Sequence, residues 1–127
     1  MADKEVVENE YLKLFIEDGM VKVFYKPDSV ISLSAAQYMV KERLRICHDK
    51  TYPLFADIRG LKYMSKEARD FIKQGDGVKG VSSFAALLNN SVQATLGNYF
   101  LKFSPPLLPS RLFTDEEKAL QWLAKFK

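Results

Sequence analysis

Chemistry-bearing side chains are scarce in this chain. Cys47 is the only cysteine and His48 the only histidine among 127 residues. A lone cysteine excludes an internal disulfide and suits a reducing cytoplasm. Nowhere do His, Cys, Asp and Glu fall at metal-ligand spacing, so neither a metal nor another cofactor is expected. No apolar run approaches the about 20 residues needed to span a bilayer. The charged start, Met1-Ala2-Asp3-Lys4-Glu5, lacks the apolar core of a signal peptide. Basic runs and aromatic-basic stripes are also missing, and the net charge is only +3, so nucleic acid is not an expected partner. Gly75-Asp76-Gly77 with Gly80 is too sparse for a phosphate loop. What remains is a cytoplasmic globule, 47% hydrophobic and 28% charged, long enough to bury one core unaided.

The stretch Tyr52 to Ser65 organises the chain. Pro53 to Ile58 is a short apolar run with turn chemistry at both ends, the pattern of a central parallel strand. Through Gly60 it runs into a helix capped by Ser65. Upstream, residues 1–9 are polar and expected to fray, leaving a single domain over 10–127. Asp18-Gly19 is a two-residue hairpin turn, because both positions tolerate positive φ. It pairs Glu17 with Met20, Ile16 with Val21, Leu14 with Val23 and Leu12 with Tyr25, giving one wholly apolar face. The other face alternates aromatics with lysines (Tyr11, Lys13, Phe15, Lys22, Phe24, Lys26), read as lysine stems over rings on a half-solvated surface.

Ser34-Ala35-Ala36-Gln37 has capping-box form, opening a helix to about His48 with Ala36, Val40, Leu44 and Cys47 inward. A second helix, Ser65 to about Gln74, turns Ala68, Phe71 and Ile72 inward and ends at Gly75. Val81 to Leu88 reads as another buried strand. Asn89, Asn90 and Ser91 compete to cap a third helix that places Tyr99, Phe100 and Phe103 on one face. The prolines at 105, 106 and 109 make a stiff connector. Ser110 to Phe113 is a last strand, and Thr114-Asp115-Glu116-Glu117 a second capping box. The order ββαβαβαβα predicts an α/β domain with a four- to five-stranded mixed sheet, an antiparallel N-terminal hairpin and a parallel remainder.

This order resembles the sulfate-transporter and anti-sigma-factor-antagonist (STAS) fold over about residues 11–127, especially small stand-alone bacterial members of SpoIIAA-like fold. Phe55-Ala56-Asp57-Ile58-Arg59-Gly60-Leu61-Lys62-Tyr63-Met64-Ser65 is similar to that family's strand-turn-helix stretch. Arg111 to Leu123 is similar to its closing strand and helix. The resemblance implies a non-enzymatic regulatory or protein-interaction module, with a regulator or kinase as protein partner. Family members that act as phosphoswitches carry a serine at this helix start. Aligned without gaps from Asp57, Lys66 occupies the serine position and Ser65 the preceding aspartate position. A one-residue shift makes Ser65 the serine and puts Met64 where the aspartate belongs.

Candidate sites follow from the same stretches. Ser65 is a helix cap or a phosphoacceptor, and Arg59, Lys66 and Arg69 could pair with phosphate there or bind another anion. Asp57 and the caps Asn89, Asn90 and Ser91 share the carboxyl rim of the strands, where partners of open α/β sheets tend to lie. No second carboxylate, histidine or nucleophile stands at informative spacing from Asp57, so no catalytic residue is assigned. A different class of role is suggested by Tyr99, Phe100, Phe103, Leu107 and Leu108, which could line an apolar pocket for a lipid-like ligand or form a homodimer contact. The alternative function is therefore a carrier of a small apolar or anionic ligand.

Overall fold

The computed structural model describes residues 5–90 and 108–127. The Asp18-Gly19 turn joins β2 (Leu12–Glu17) to β3 (Met20–Tyr25) in the register derived above, Glu17 opposite Met20 and Leu12 opposite Tyr25. Both turn residues have positive φ, 55° for Asp18 and 72° for Gly19. From β3 the sheet continues through parallel strands β5 (Tyr52–Asp57), β7 (Val81–Leu87) and β8 (Ser110–Phe113). The α/β class, with an antiparallel hairpin and a parallel remainder, is as read from the sequence.

The N-terminus requires a correction. Val6–Glu8 is not frayed but forms β1, antiparallel to β2, so the main sheet has six strands in the order β1-β2-β3-β5-β7-β8. Val7 drops into the core beside Leu14, Lys26 pairs with Glu8 at 3.0 Å, and Arg45 binds Glu5. One apolar side chain and two ion pairs hold a strand that its three residues do not announce.

A second addition is a two-stranded parallel sheet of β4 (Ser29–Ile31) and β6 (Leu61–Met64). The stretch read as a turn thus contains a strand before the helix begins. Gly60 makes the turn possible: a Cβ there would lie 2.6 Å from the Tyr25 carbonyl oxygen.

The helices begin where side chains satisfy their free amides. Helix α1 (Leu33–Cys47) is capped by Ser32, whose hydroxyl accepts from Ala35 N at 3.2 Å, so the predicted capping box at Ser34 lies two residues late. Ser65 caps α2 (Lys66–Ile72), as expected, accepting from Ala68 N at 3.1 Å. Asp115, not Thr114, caps α3 (Glu116–Ala124), accepting from Lys118 N at 3.1 Å. The predicted helix after Ser91 lies outside the described residues.

The sheet separates two apolar layers. Phe15, Phe24 and Phe55 meet ring to ring on one face, where Ala119 and Leu123 of α3 cover Phe55 and Leu87. That face is less solvated than alternation suggested, and Lys22 is itself buried, held by Glu17 at 3.0 Å. On the opposite face Leu12, Leu14, Val21 and Val23 pack with Ile46 and Cys47 of α1. Cys47 fills core space, as its helical position predicts.

Candidate functional site

The predicted rim residues divide into two groups. At the end of β5, Asp57 is 8% exposed and accepts three bonds from Arg59: backbone N at 3.1 Å, Nε at 3.0 Å and Nη2 at 2.8 Å. The bidentate carboxylate raises the Arg59 guanidinium above its ordinary value. Asn89 Nδ2 donates to the Arg59 carbonyl at 3.3 Å, closing this cluster. Each group already has its partner, so the cluster fixes the turn.

Ser65, Lys66 and Arg69 form the second group. The Ser65 hydroxyl is used as the cap, and Lys66 lies 3.7 Å from Asp70 on the solvent side. Among the described residues no hydrogen bond or ion pair joins Arg59 to Ser65, Lys66 or Arg69. Arg59 is committed to Asp57, and Lys66 lies nearest Asp70. Asn90 lies on the loop after β7, and Ser91 lies outside the described residues.

Arg69 instead borders a feature that strand alternation creates. Ala56 of β5 stands opposite Ala86 of β7, with Val23 and Leu112 in the flanking strands. Two alanines side by side recess the centre of the sheet. Across the recess lie Met39, Val40 and Arg43 of α1, and Arg69 and Ile72 of α2. The result is a cavity of about 290 Å³, lined mainly by aliphatic side chains and Phe84. Leu108 lines it too, the one described member of the predicted apolar set; Tyr99, Phe100, Phe103 and Leu107 lie outside the described residues.

Arg43 is the site residue that the amphipathic pattern concealed. It is 2% exposed and donates to the carbonyls of Lys79 at 2.8 Å, Asp76 at 3.0 Å and Gly77 at 3.3 Å. Among the described residues it has no ion pair, and burial lowers its guanidinium below the ordinary value. Its signal was its position: seven residues after Ala36 and four before Cys47, it lies on the buried stripe of α1. Tyr25 also lines the cavity, its hydroxyl donating to Met39 Sδ at 3.4 Å, and burial pushes its phenol far up.

Comparison with known proteins places this geometry. A family model described as "Domain of unknown function (DUF7793)" matches residues 14–127. The chain belongs to the DUF7793 family. No curated protein matches it. Among solved structures, an uncharacterized protein of the DUF3478 family with a SpoIIAA-like fold, from Shewanella loihica, aligns over 97% of each chain with a TM-score of 0.62 and 17% identity. That similarity shows the fold of this DUF7793 member to be SpoIIAA-like. The STAS resemblance thus holds at the level of fold. Among the described residues no helix is long and apolar enough to cross a membrane, and no three potential metal ligands cluster.

Proposed function

We propose that this DUF7793 protein is a non-enzymatic binding module that takes a small, mainly apolar ligand between its sheet and helices α1 and α2. The supporting observation is the cavity of about 290 Å³ over Ala56 and Ala86. It is roughly twice the size of a cavity that holds benzene, so it accommodates about a dozen heavy atoms. Apolar walls with few polar groups are the usual composition of small-molecule sites. Titration with decanol, followed by methyl NMR, tests the reading. Methyls of Leu14, Val23 and Ala86 should shift at one-to-one stoichiometry, and Ala86→Leu, which fills the recess, should abolish the shifts. Absence of shifts on this face, or their persistence in Ala86→Leu, overturns it.

A second reading, a regulatory protein-interaction module, is favoured by a different observation. Val30 and Tyr63 are opposite one another on β4 and β6, 48% and 57% exposed. Leu33 and Tyr38 are also exposed, at the start of α1. A protein partner of the regulator or kinase class, as the STAS resemblance implies, would bind there. Affinity capture from the native host should return one partner with the wild type and lose it with Tyr63→Lys. An identical set of captured proteins for both counts against this surface.

A further inference from the structure

The cavity wall is electrically one-sided. Arg43, Arg69 and Lys73 line it, and no aspartate or glutamate does among the described residues. Arg43 is the decisive member. Buried charges are ordinarily paired, because an unpaired ion loses hydration without compensation. Here the guanidinium is 2% exposed, donates to three carbonyls and feels Cys47 and the Asp76 carboxylate, with no ion pair among the described residues. Arg69 adds a second positive charge from α2, on the same wall. In a space of low polarity these charges favour an anion and oppose a cation. The aliphatic side chains opposite favour hydrocarbon.

We propose that the ligand is an amphipathic monoanion of medium chain length, such as a carboxylate of about ten carbons, with its acidic head toward the Arg43 and Arg69 side and its tail over Ala56 and Ala86. The carboxylate meets the positive charge of the Arg43 and Arg69 side of the wall, and the recess between Val23 and Leu112 takes the chain. This inference rests on the ligand-binding reading above and adds the chemical class of the ligand.

Calorimetric titration with decanoate, decanol and decyltrimethylammonium separates the two claims. Decanoate should bind one-to-one and about tenfold or more tighter than decanol, with decyltrimethylammonium the weakest. Arg69→Ala, at an exposed position, should reduce the ratio of decanoate to decanol affinity by about threefold or more. Equal affinity for decanoate and decanol overturns the anion assignment and leaves the cavity reading standing. A preference untouched by Arg69→Ala also overturns it. Binding of none of the three overturns both readings together.

Discussion

Arg43 Nη1 donates to the carbonyl of Lys79 at 2.8 Å, 36 residues away in the chain. With the bonds from Nη2 to Asp76 and Gly77, this one side chain ties α1 to the short 3-10 turn Gly75–Gly77 and the chain leading into β7. A methionine could fill the space but would leave three carbonyls without their donor. Each unsatisfied buried group costs about 1–3 kcal/mol, and partial rehydration offsets some of it. Arg43→Met should therefore lower unfolding free energy by about 3 kcal/mol. Arg43→Lys, with one ammonium for three acceptors, should fall between it and the wild type. Urea denaturation checks this, and a loss for Arg43→Met below about 1 kcal/mol contradicts it.

Gly60 and Gly75 should respond differently to alanine. At Gly60 a Cβ would meet the Tyr25 carbonyl oxygen at 2.6 Å and the Lys26 carbonyl carbon at 2.9 Å. Those are backbone atoms at the end of β3, so the main sheet or the β4–β6 sheet must move. Gly60→Ala should cost about 1–3 kcal/mol as an overpacked site. Gly75 has φ +52° and open space around a Cβ, so Gly75→Ala carries only the left-handed penalty of about 1–2 kcal/mol. Decanol binding gives the second readout. Gly60→Ala displaces Leu61, which lines the cavity, and should weaken it. If Gly60→Ala loses no stability, this close approach does not govern the turn.

Acid should loosen the N-terminal strand. Lys26 donates to the Glu8 carboxylate and lowers its pKa from 4.5, and Arg45 does the same for Glu42. A carboxyl whose folded pKa is depressed stabilises the fold above its unfolded value, and that contribution is lost as pH falls through the folded one. Glu8→Gln and Glu42→Gln should thus lower the urea midpoint at pH 6, with the gap to wild type shrinking as pH falls below the ordinary 4.5 and closing below the depressed folded value. Both groups are exposed, so added salt should shrink the gap as well. A gap that persists unchanged at acid pH assigns these residues a role other than charge pairing.

The legible parts of the fold were those fixed by local chemistry. Asp18-Gly19 dictated a turn type, the turn dictated register, and the register sorted Leu12, Leu14, Val21 and Val23 to one face. The β4–β6 sheet was not legible. Leu61-Lys62-Tyr63-Met64 has only four residues, two of them exposed, and its partner Ser29–Ile31 is distant in sequence. The cavity was half legible. The alanines of β7 weakened the strand pattern, yet paired with Ala56 they hollow out the sheet, and only the parallel register reveals that pairing. Arg43 was hidden because a charged residue on an amphipathic helix is ordinarily assigned to the solvent side, whereas its partners here are backbone carbonyls that carry no sequence signature.

Ser65 offers the sharpest separation of a structural from a regulatory role. Its hydroxyl accepts from Ala68 N, so Ser65→Ala should cost about 1 kcal/mol through loss of the cap. Aspartate is as good a cap as serine, and its charge lies at the favourable end of α2. Ser65→Asp should therefore match wild-type stability to within about 0.5 kcal/mol. It should also leave decanol binding and partner capture unchanged, since Lys66 is engaged with Asp70 and Arg59 with Asp57. If Ser65→Asp keeps stability but releases a captured partner, the serine is a switch and not merely a cap. Thermal denaturation and capture with the same two variants decide between these outcomes.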